Sequence, residues 1–187
     1  MLCFFISQPL LRIPLLNYFQ GTTKFTTWTI SYPILLMAII AFSAGLSEET
    51  FRFLFKKFLV GPKESVFLQP IIFGLGHGFM EVLIIFIPNL NQMIIMGTLL
   101  LATIERIIAV VGHVFFTIII WNGFQGNKKI QYLILAIFIH GLLDFIAIIG
   151  VSQGLNIWIL EGIFALFDIV VIVYIVYSKK YYREGNL

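Results

Sequence analysis

Two adjacent carboxylates and a nearby guanidinium interrupt a long apolar stretch of the sequence. Glu48 and Glu49 follow an apolar run that begins near Trp28, and Arg52 comes three residues after the second glutamate. A charge within hydrocarbon costs on the order of 3 kcal/mol on insertion scales, so these groups need partners or a function. On a helix, Glu48 and Arg52 share one face, whereas Glu49 points about 100° away. Glu49 therefore needs partners from other helices.

Two histidines are each followed by a carboxylate one helical turn later. His77 precedes Glu81 by four residues, and His140 precedes Asp144 by four residues. A helix places both members of such a pair on one face, where the carboxylate would orient or polarise the imidazole. Glutamate and histidine together can activate water and stabilise an oxyanion, so the pattern predicts hydrolysis.

A further group of polar residues has simpler interpretations. Glu105 and Arg106 are expected to form a structural ion pair, and His113, seven residues after Arg106, is expected to be a packed hydrogen-bonding residue. These three residues are secondary candidates. Glu161 and Asp168 are also seven apart but have no accompanying histidine, and we expect them to be structural or to line a cavity.

The elements that must position these residues are membrane-spanning helices. The chain of 187 residues is 60% hydrophobic and 11% charged, which excludes an ordinary soluble domain. Apolar stretches of about 20 residues recur along it. We therefore predict an all-α, polytopic transmembrane bundle of about six helices in a single integral-membrane domain, residues 1–187. Within it, we expect a first helix at 1–20 and a catalytic helical core at 28–178.

Polar and helix-breaking residues predict the helix boundaries. The apolar segments run over about 1–19, 28–58, 65–87, 92–121, 130–149 and 155–177. A polar loop is predicted at 21–27 and a short turn at 88–91. Pro9 and Pro14 indicate that the first segment is a kinked span or the remnant of a longer N-terminal region. The single cysteine, Cys3, excludes an internal disulfide and a cysteine-based metal site.

Basic residues in the loops predict the orientation in the membrane. If successive loops alternate across the bilayer, only Lys24 falls on one side. Eight basic residues fall on the other: Lys56, Lys57, Lys63, Lys128, Lys129, Lys179, Lys180 and Arg183. The positive-inside rule makes that second side cytoplasmic and places both termini there.

The same loops indicate the depth of the candidate residues. At a rise of about 1.5 Å per residue, Glu48 and all three histidines lie at similar depth, near the midplane or on its cytoplasmic side. We therefore expect Glu48 or Glu49, His77 and His140 to converge around one water molecule or metal ion.

Taken together, the motifs resemble those of the CAAX-prenyl-protease and bacteriocin-processing superfamily of intramembrane proteases, and more narrowly its YhfC-like branch. The resemblance covers about residues 3–180 and rests on four motifs in order. They are Glu48-Glu49 with Arg52, the Gly-His-Gly-x-x-Glu segment from Gly76 to Glu81, Glu105-Arg106 with His113, and His140-x-x-x-Asp144.

The sequence departs from the superfamily pattern at two positions. Two residues rather than three separate the glutamate pair from Arg52, and Asp144 stands where the superfamily often has asparagine. An ionised aspartate cannot donate a hydrogen bond to an oxyanion. Family members also tend to be longer at the N-terminus, so we expect a short or truncated member.

The resemblance implies hydrolysis of a peptide bond in a membrane-embedded or membrane-associated substrate, in a bacterial plasma membrane. In one scheme a glutamate, with Glu48 preferred over Glu49, activates water together with His77, and His140 stabilises the oxyanion. In the other, Zn²⁺ is bound by Glu49, His77 and His140. The candidate catalytic residues are Glu48, Glu49, Arg52, His77, Glu81, His140 and Asp144.

The expected partners are the lipid bilayer and a peptide or protein substrate, and the net charge of +3 gives no indication of nucleic-acid binding. Two other classes remain open. Buried acidic and histidine residues also build proton- or ion-coupled transporters, and a non-enzymatic membrane scaffold could keep the same fold.

Overall fold

The computed structural model describes residues 1–61 and 66–182, and these form an all-α bundle without a β-strand. Six helices are long and apolar enough to cross a membrane, and a short helix, α2 (Thr23–Ser31), follows the first of them. The six are α1 (Leu2–Gln20), α3 (Pro33–Val60), α4 (Leu68–Ile95), α5 (Leu99–Gln125), α6 (Lys129–Ser152) and α7 (Ile157–Tyr181). The predicted fold class and number of spans are therefore confirmed. Lys63 and Arg183, which contribute to the predicted charge asymmetry, lie outside the described residues.

The predicted loop at 21–27 is wrong, because α2 occupies most of it. The side chain of Thr22 caps this helix by accepting a hydrogen bond from the backbone amide of Phe25 at 3.3 Å. The break between helices comes later, at Tyr32, because Pro33 disfavours a helical conformation in the residue before it. The second span accordingly begins at Pro33.

The predicted turn at 88–91 is also wrong, because the chain stays helical through Pro88. The missing proline N–H and the proline ring disrupt a regular α-helix. The chain adapts with a wide π-helical segment, Val82–Phe86, and a tight 3₁₀ segment, Ile87–Asn89, before α-helix resumes. The turn lies instead at Gly97, whose φ of +68° suits glycine.

The first span packs against α3 and α4. Its π-helical segment, Ile6–Arg12, contains Pro9. The buried face of α1 carries Phe4, Ser7 and Gln8, so this span brings polar groups into the bundle.

Close helix packing at two glycines determines where the charged residues meet. A Cβ atom on Gly45 of α3 would lie 2.8 Å from the carbonyl oxygen of Ile137 in α6. A Cβ atom on Gly74 of α4 would lie 2.6 Å from the Cα atom of Val114 in α5. Small residues allow this approach of membrane helices. The backbones of α3 and α6 are therefore in close contact beside the candidate site, and so are the backbones of α4 and α5.

The two ends of the bundle differ in charge. We call one the lysine-rich end, formed by the α5–α6 turn at 126–128 and the end of α7. The other is the lysine-poor end, formed by the α4–α5 turn at 96–98 and the α6–α7 turn at 153–156. Near the lysine-rich end an aromatic core is built around the second half of α5; its aromatic members are Phe53, Phe115, Phe116, Trp121, Phe124 and Tyr182.

Candidate active site

Glu48 is the residue on which side chains from three other helices converge. Its Oε1 atom accepts a 2.6 Å hydrogen bond from the side-chain amide of Gln8 in α1. Its Oε2 atom lies 2.9 Å from His77 Nε2 in α4 and 3.9 Å from His113 Nδ1 in α5. Arg52 Nη2, one turn along α3, is also 3.9 Å away. One buried carboxylate thus joins α1, α4 and α5 to α3.

Glu49 points to a different helix, as expected from its angular position on α3. Its Oε1 atom lies 2.8 Å from His140 Nδ1 in α6. Its Oε2 atom lies 3.4 Å from Arg52 Nε. On its other side, His140 Nε2 is 3.7 Å from Asp144, and the ring stacks on Phe116 with an interplanar angle of 12°. The orientation of His140 is therefore set from three directions.

Arg52 is fully buried and connects the glutamate pair to α5. Its Nη1 atom donates to the backbone carbonyl of His113 at 2.6 Å and to the hydroxyl of Thr117 at 3.0 Å. Its Nη2 atom lies 3.3 Å from His113 Nδ1. The guanidinium therefore lies between both glutamates and this histidine.

Glu81 does not follow the pairing suggested by its spacing from His77. It instead lies 2.5 Å, through Oε2, from His113 Nε2, and its Oε1 atom accepts a hydrogen bond from Arg106. Arg106 also pairs with Glu105. The glutamate reaches across to α5 because that helix supplies a positive charge, while His77 faces Glu48. His113, a secondary candidate in the sequence, thus lies within the cluster.

A cavity of about 610 Å³ extends from the cluster towards the lysine-poor end. Its lining there includes Thr98 at the start of α5 and Ile157 at the start of α7. Seven of the candidate residues line it: Glu48, Glu81, Glu105, Arg106, His113, His140 and Asp144. Glu49, Arg52 and His77 are completely buried behind them. The cluster therefore has one layer that faces the cavity and one that supports it.

The donor atoms of the cluster fit a metal ion. Two groups each offer three donor atoms within 4.8 Å of one another, namely Glu48–His77–His113 and Glu48–Glu49–His140. Glutamate and histidine are the donors of catalytic zinc sites, which use three protein ligands. Two carboxylates and one guanidinium also leave one net negative charge, which favours a cation. The ligands expected from the sequence, Glu49, His77 and His140, are divided between the two groups.

The contribution of the first helix was not predicted from the sequence. Gln8 donates to Glu48, and its own carbonyl oxygen accepts a 3.0 Å hydrogen bond from Arg12 Nη1. Arg12 Nε in turn donates to the hydroxyl of Ser43 at 2.9 Å. The available signal was two polar residues four apart in an apolar segment, which places them on one buried face.

Comparison with known proteins identifies the family of the chain. No curated protein and no solved structure matches the chain. The sequence model of the YhfC intramembrane metalloprotease family matches residues 1–100 and 89–164. These stretches contain the glutamate pair, Arg52 and all three histidines. The chain therefore belongs to the YhfC intramembrane metalloprotease family, a membership that indicates a membrane-embedded protease.

Proposed function

We propose that this protein hydrolyses a peptide bond of a membrane-embedded substrate, with Glu48 as the catalytic base. One observation carries the proposal. Two glutamates of α3 and three histidines, one each from α4, α5 and α6, meet at the inner end of a 610 Å³ cavity. A bond placed there is withdrawn from lipid and lies beside the ionisable groups that hydrolysis requires.

Access to the cavity supports different roles for the two glutamates. Glu48 lines the cavity, and Glu49 is fully buried behind it. A base must reach the proton that it removes, so Glu48 would take a proton from the attacking water and return it to the leaving amide nitrogen. Glu49, bonded to His140 and close to Arg52, would be a positioning residue.

His140 is the residue best placed to stabilise the oxyanion. It lines the cavity, and its ring is held by Glu49, Asp144 and Phe116. A preorganised donor aimed at the developing charge is worth roughly 10²–10³ in rate. Asp144, which cannot donate when ionised, would orient His140 and would not contact the oxyanion itself.

In a second scheme, an alternative to the one with Glu48 as base, either group of three donors, Glu48–His77–His113 or Glu48–Glu49–His140, would hold a metal ion such as Zn²⁺. Glu48 belongs to both groups and would then be a ligand. When bound, the ion supplies Lewis-acid polarisation of the carbonyl and a more acidic water. In both arrangements Gln8 and Arg52 keep the Glu48 carboxylate in place.

The predicted orientation determines the membrane face towards which the cavity opens. In a bacterial plasma membrane with the lysine-rich end and both termini in the cytoplasm, the cavity would open towards the outer face. Cysteine substituted at Thr98 should then react with a membrane-impermeant reagent added outside intact cells, and cysteine at Lys128 or Lys179 should not. The reverse labelling pattern would contradict this orientation.

The decisive test is a peptidase assay combined with metal analysis of the purified protein in lipid nanodiscs. We expect the wild type to cleave a membrane-embedded reporter peptide. Stoichiometric metal in the same sample would identify Glu48 as a ligand, and cleavage without metal would identify it as the base. Glu48→Gln should abolish cleavage without unfolding the protein. Peptide cleavage separates a protease from a transporter or scaffold of the same fold, and ion flux in proteoliposomes without cleavage would identify a transporter.

A further inference from the structure

The wall of the cavity formed by α7 carries two carboxylates that the proposed hydrolysis does not use. Glu161 and Asp168 are seven residues apart, so they share one helix face and lie about 10.5 Å apart along its axis. Both line the cavity, and their exposed fractions are 7% and 9%. Glu161 lies one turn from the lysine-poor end of α7, and Asp168 lies near the middle of the span.

Neither of these carboxylates has a hydrogen-bond or ion-pair partner among residues 1–61 and 66–182, and Glu161 Oε2 is buried without any hydrogen bond. The other carboxylates that line the cavity all have partners. They are Glu48 with His77, Glu81 with Arg106 and His113, Glu105 with Arg106, and Asp144 with His140. A buried carboxylate without a partner is costly, so its retention in the cavity wall points to a partner that arrives from outside.

We propose that Glu161 and Asp168 form an acidic subsite in which each carboxylate can bind a lysine or arginine side chain of the peptide substrate. The role of this subsite in cleavage rests on the proposed function. The cavity is lined by six carboxylates and two guanidiniums. Both guanidiniums are already engaged, Arg12 with Gln8 and Ser43, and Arg106 with Glu81 and Glu105.

A basic side chain fits this subsite in shape as well as in charge. Its aliphatic stem can lie along apolar surface while its charged group reaches a carboxylate. Apolar residues of α7 flank the two acids in the cavity lining, among them Leu160, Phe164 and Phe167.

A single metal ion does not fit the same pair. Carboxylate oxygens bind divalent cations at about 2.0–2.6 Å, and the two residues are about 10.5 Å apart along the helix axis. One ion therefore cannot be ligated by both side chains. The separation suits residues about three positions apart in an extended peptide, which advances about 3.3 Å per residue.

The position of Glu161 predicts where the basic residue lies in the substrate. The charged groups that act electrostatically on Glu161 are Glu105 and Arg106 of α5. Arg106 is seven residues, or about 10.5 Å, from His113 in the cluster. A basic residue about three positions from the scissile bond, on the side towards the lysine-poor end, would reach Glu161.

The test measures binding separately from cleavage. The Glu48→Gln variant in nanodiscs is titrated with fluorescent apolar 20-residue peptides that differ at one position, which is lysine, norleucine or glutamate, and this position is scanned along the peptide. At the matching position we expect lysine to bind roughly tenfold more tightly than norleucine, and glutamate more weakly than either. If the three peptides bind with equal affinity at every position, or if the glutamate peptide binds as tightly as the lysine peptide, the proposal is overturned. This series needs no change at the subsite itself.

A second set of variants locates the effect. Glu161→Gln with Asp168→Asn should abolish the lysine preference, while binding of the norleucine peptide remains. Thr98→Val is the control, because it removes a polar group of the same cavity lining that the subsite does not use; it should keep the preference. If the double variant still binds the lysine peptide more tightly than the norleucine peptide, the basic side chain is bound elsewhere and the assignment is overturned.

Failure of the subsite and failure of the proposed function give different results. Cleavage of lysine and norleucine peptides at equal rates by the wild type would refute the subsite and leave the protease intact. Selective lysine binding without cleavage of any peptide by the wild type would support the subsite and refute the protease.

Discussion

The two halves of α5 face different environments although they belong to one helix. No residue from 99 to 112 is buried, whereas every residue from 113 to 124 is. The first half lines the cavity and carries Glu105 and Arg106, and the second half lies in the aromatic core. His113 marks the boundary. The contrast indicates that one half of the bundle provides rigid support and the other half provides access, with the reactive groups where they meet.

The largest effect is expected for a substitution in the cluster, where the two halves of the bundle meet. Glu48→Gln keeps the shape and hydrogen-bonding capacity of the side chain but removes the base, so peptide cleavage should fall by roughly 10²–10⁴ while the melting temperature changes little. Glu105→Gln, in the open half, is the control and should remain cleavage-competent. If Glu49→Gln loses activity and Glu48→Gln keeps it, the base is the neighbouring glutamate.

Arg52→Ala tests how much the buried contacts behind the cluster contribute to stability. The change leaves Glu49 and the carbonyl of His113 without their guanidinium partner, and breaking a buried ion pair costs roughly 3–5 kcal/mol. We expect a lower folded yield and a lower denaturant midpoint in detergent. Arg106→Ala, a partly exposed arginine of the open half, should cost less. Equal losses from both variants would contradict the distinction between the halves.

Substitution of one glycine in each half of the bundle tests how well that half tolerates an added methyl group. Gly74→Ala would place a methyl group 2.6 Å from the Cα atom of Val114, so α4 and α5 must separate. Overpacking of this kind costs roughly 1–3 kcal/mol, and it should also reduce cleavage by displacing His113. Gly162→Ala in α7 meets no atom within 4 Å and should be neutral. Thermal unfolding of the two variants measures the difference.

The smallest expected effect lies at the lysine-rich end. Tyr182 donates a 2.9 Å hydrogen bond to the side-chain carbonyl of Asn122, whose amide donates to Ser178 and Tyr174. Tyr182→Phe should lower the free energy of unfolding by about 1 kcal/mol and leave cleavage unchanged. A loss of cleavage would show that this end also shapes the cavity.

The helical spans could be predicted because the apolar runs are long and the bilayer allows few alternatives. The boundaries near Tyr32 and Pro88 could not, since they depend on local cap and proline geometry that the apolar pattern does not encode. The pairing of Glu81 was missed for a related reason. Spacing shows which residues share a face of α4, but the preference for Arg106 and His113 depends on how α4 packs against α5. Gln8 was overlooked because its segment lacked a histidine or an acid.

The convergence on Glu48 also has a consequence for biosynthesis. Its contacts come from Gln8 in the first span, His77 in α4 and His113 in α5, and the adjacent Glu49 needs His140 from α6. A nascent chain that has emerged only as far as Trp121 still lacks His140. The reactive groups are therefore complete only after the fifth membrane crossing has been inserted and docked, so partly synthesised chains carry the glutamates but not the assembled centre.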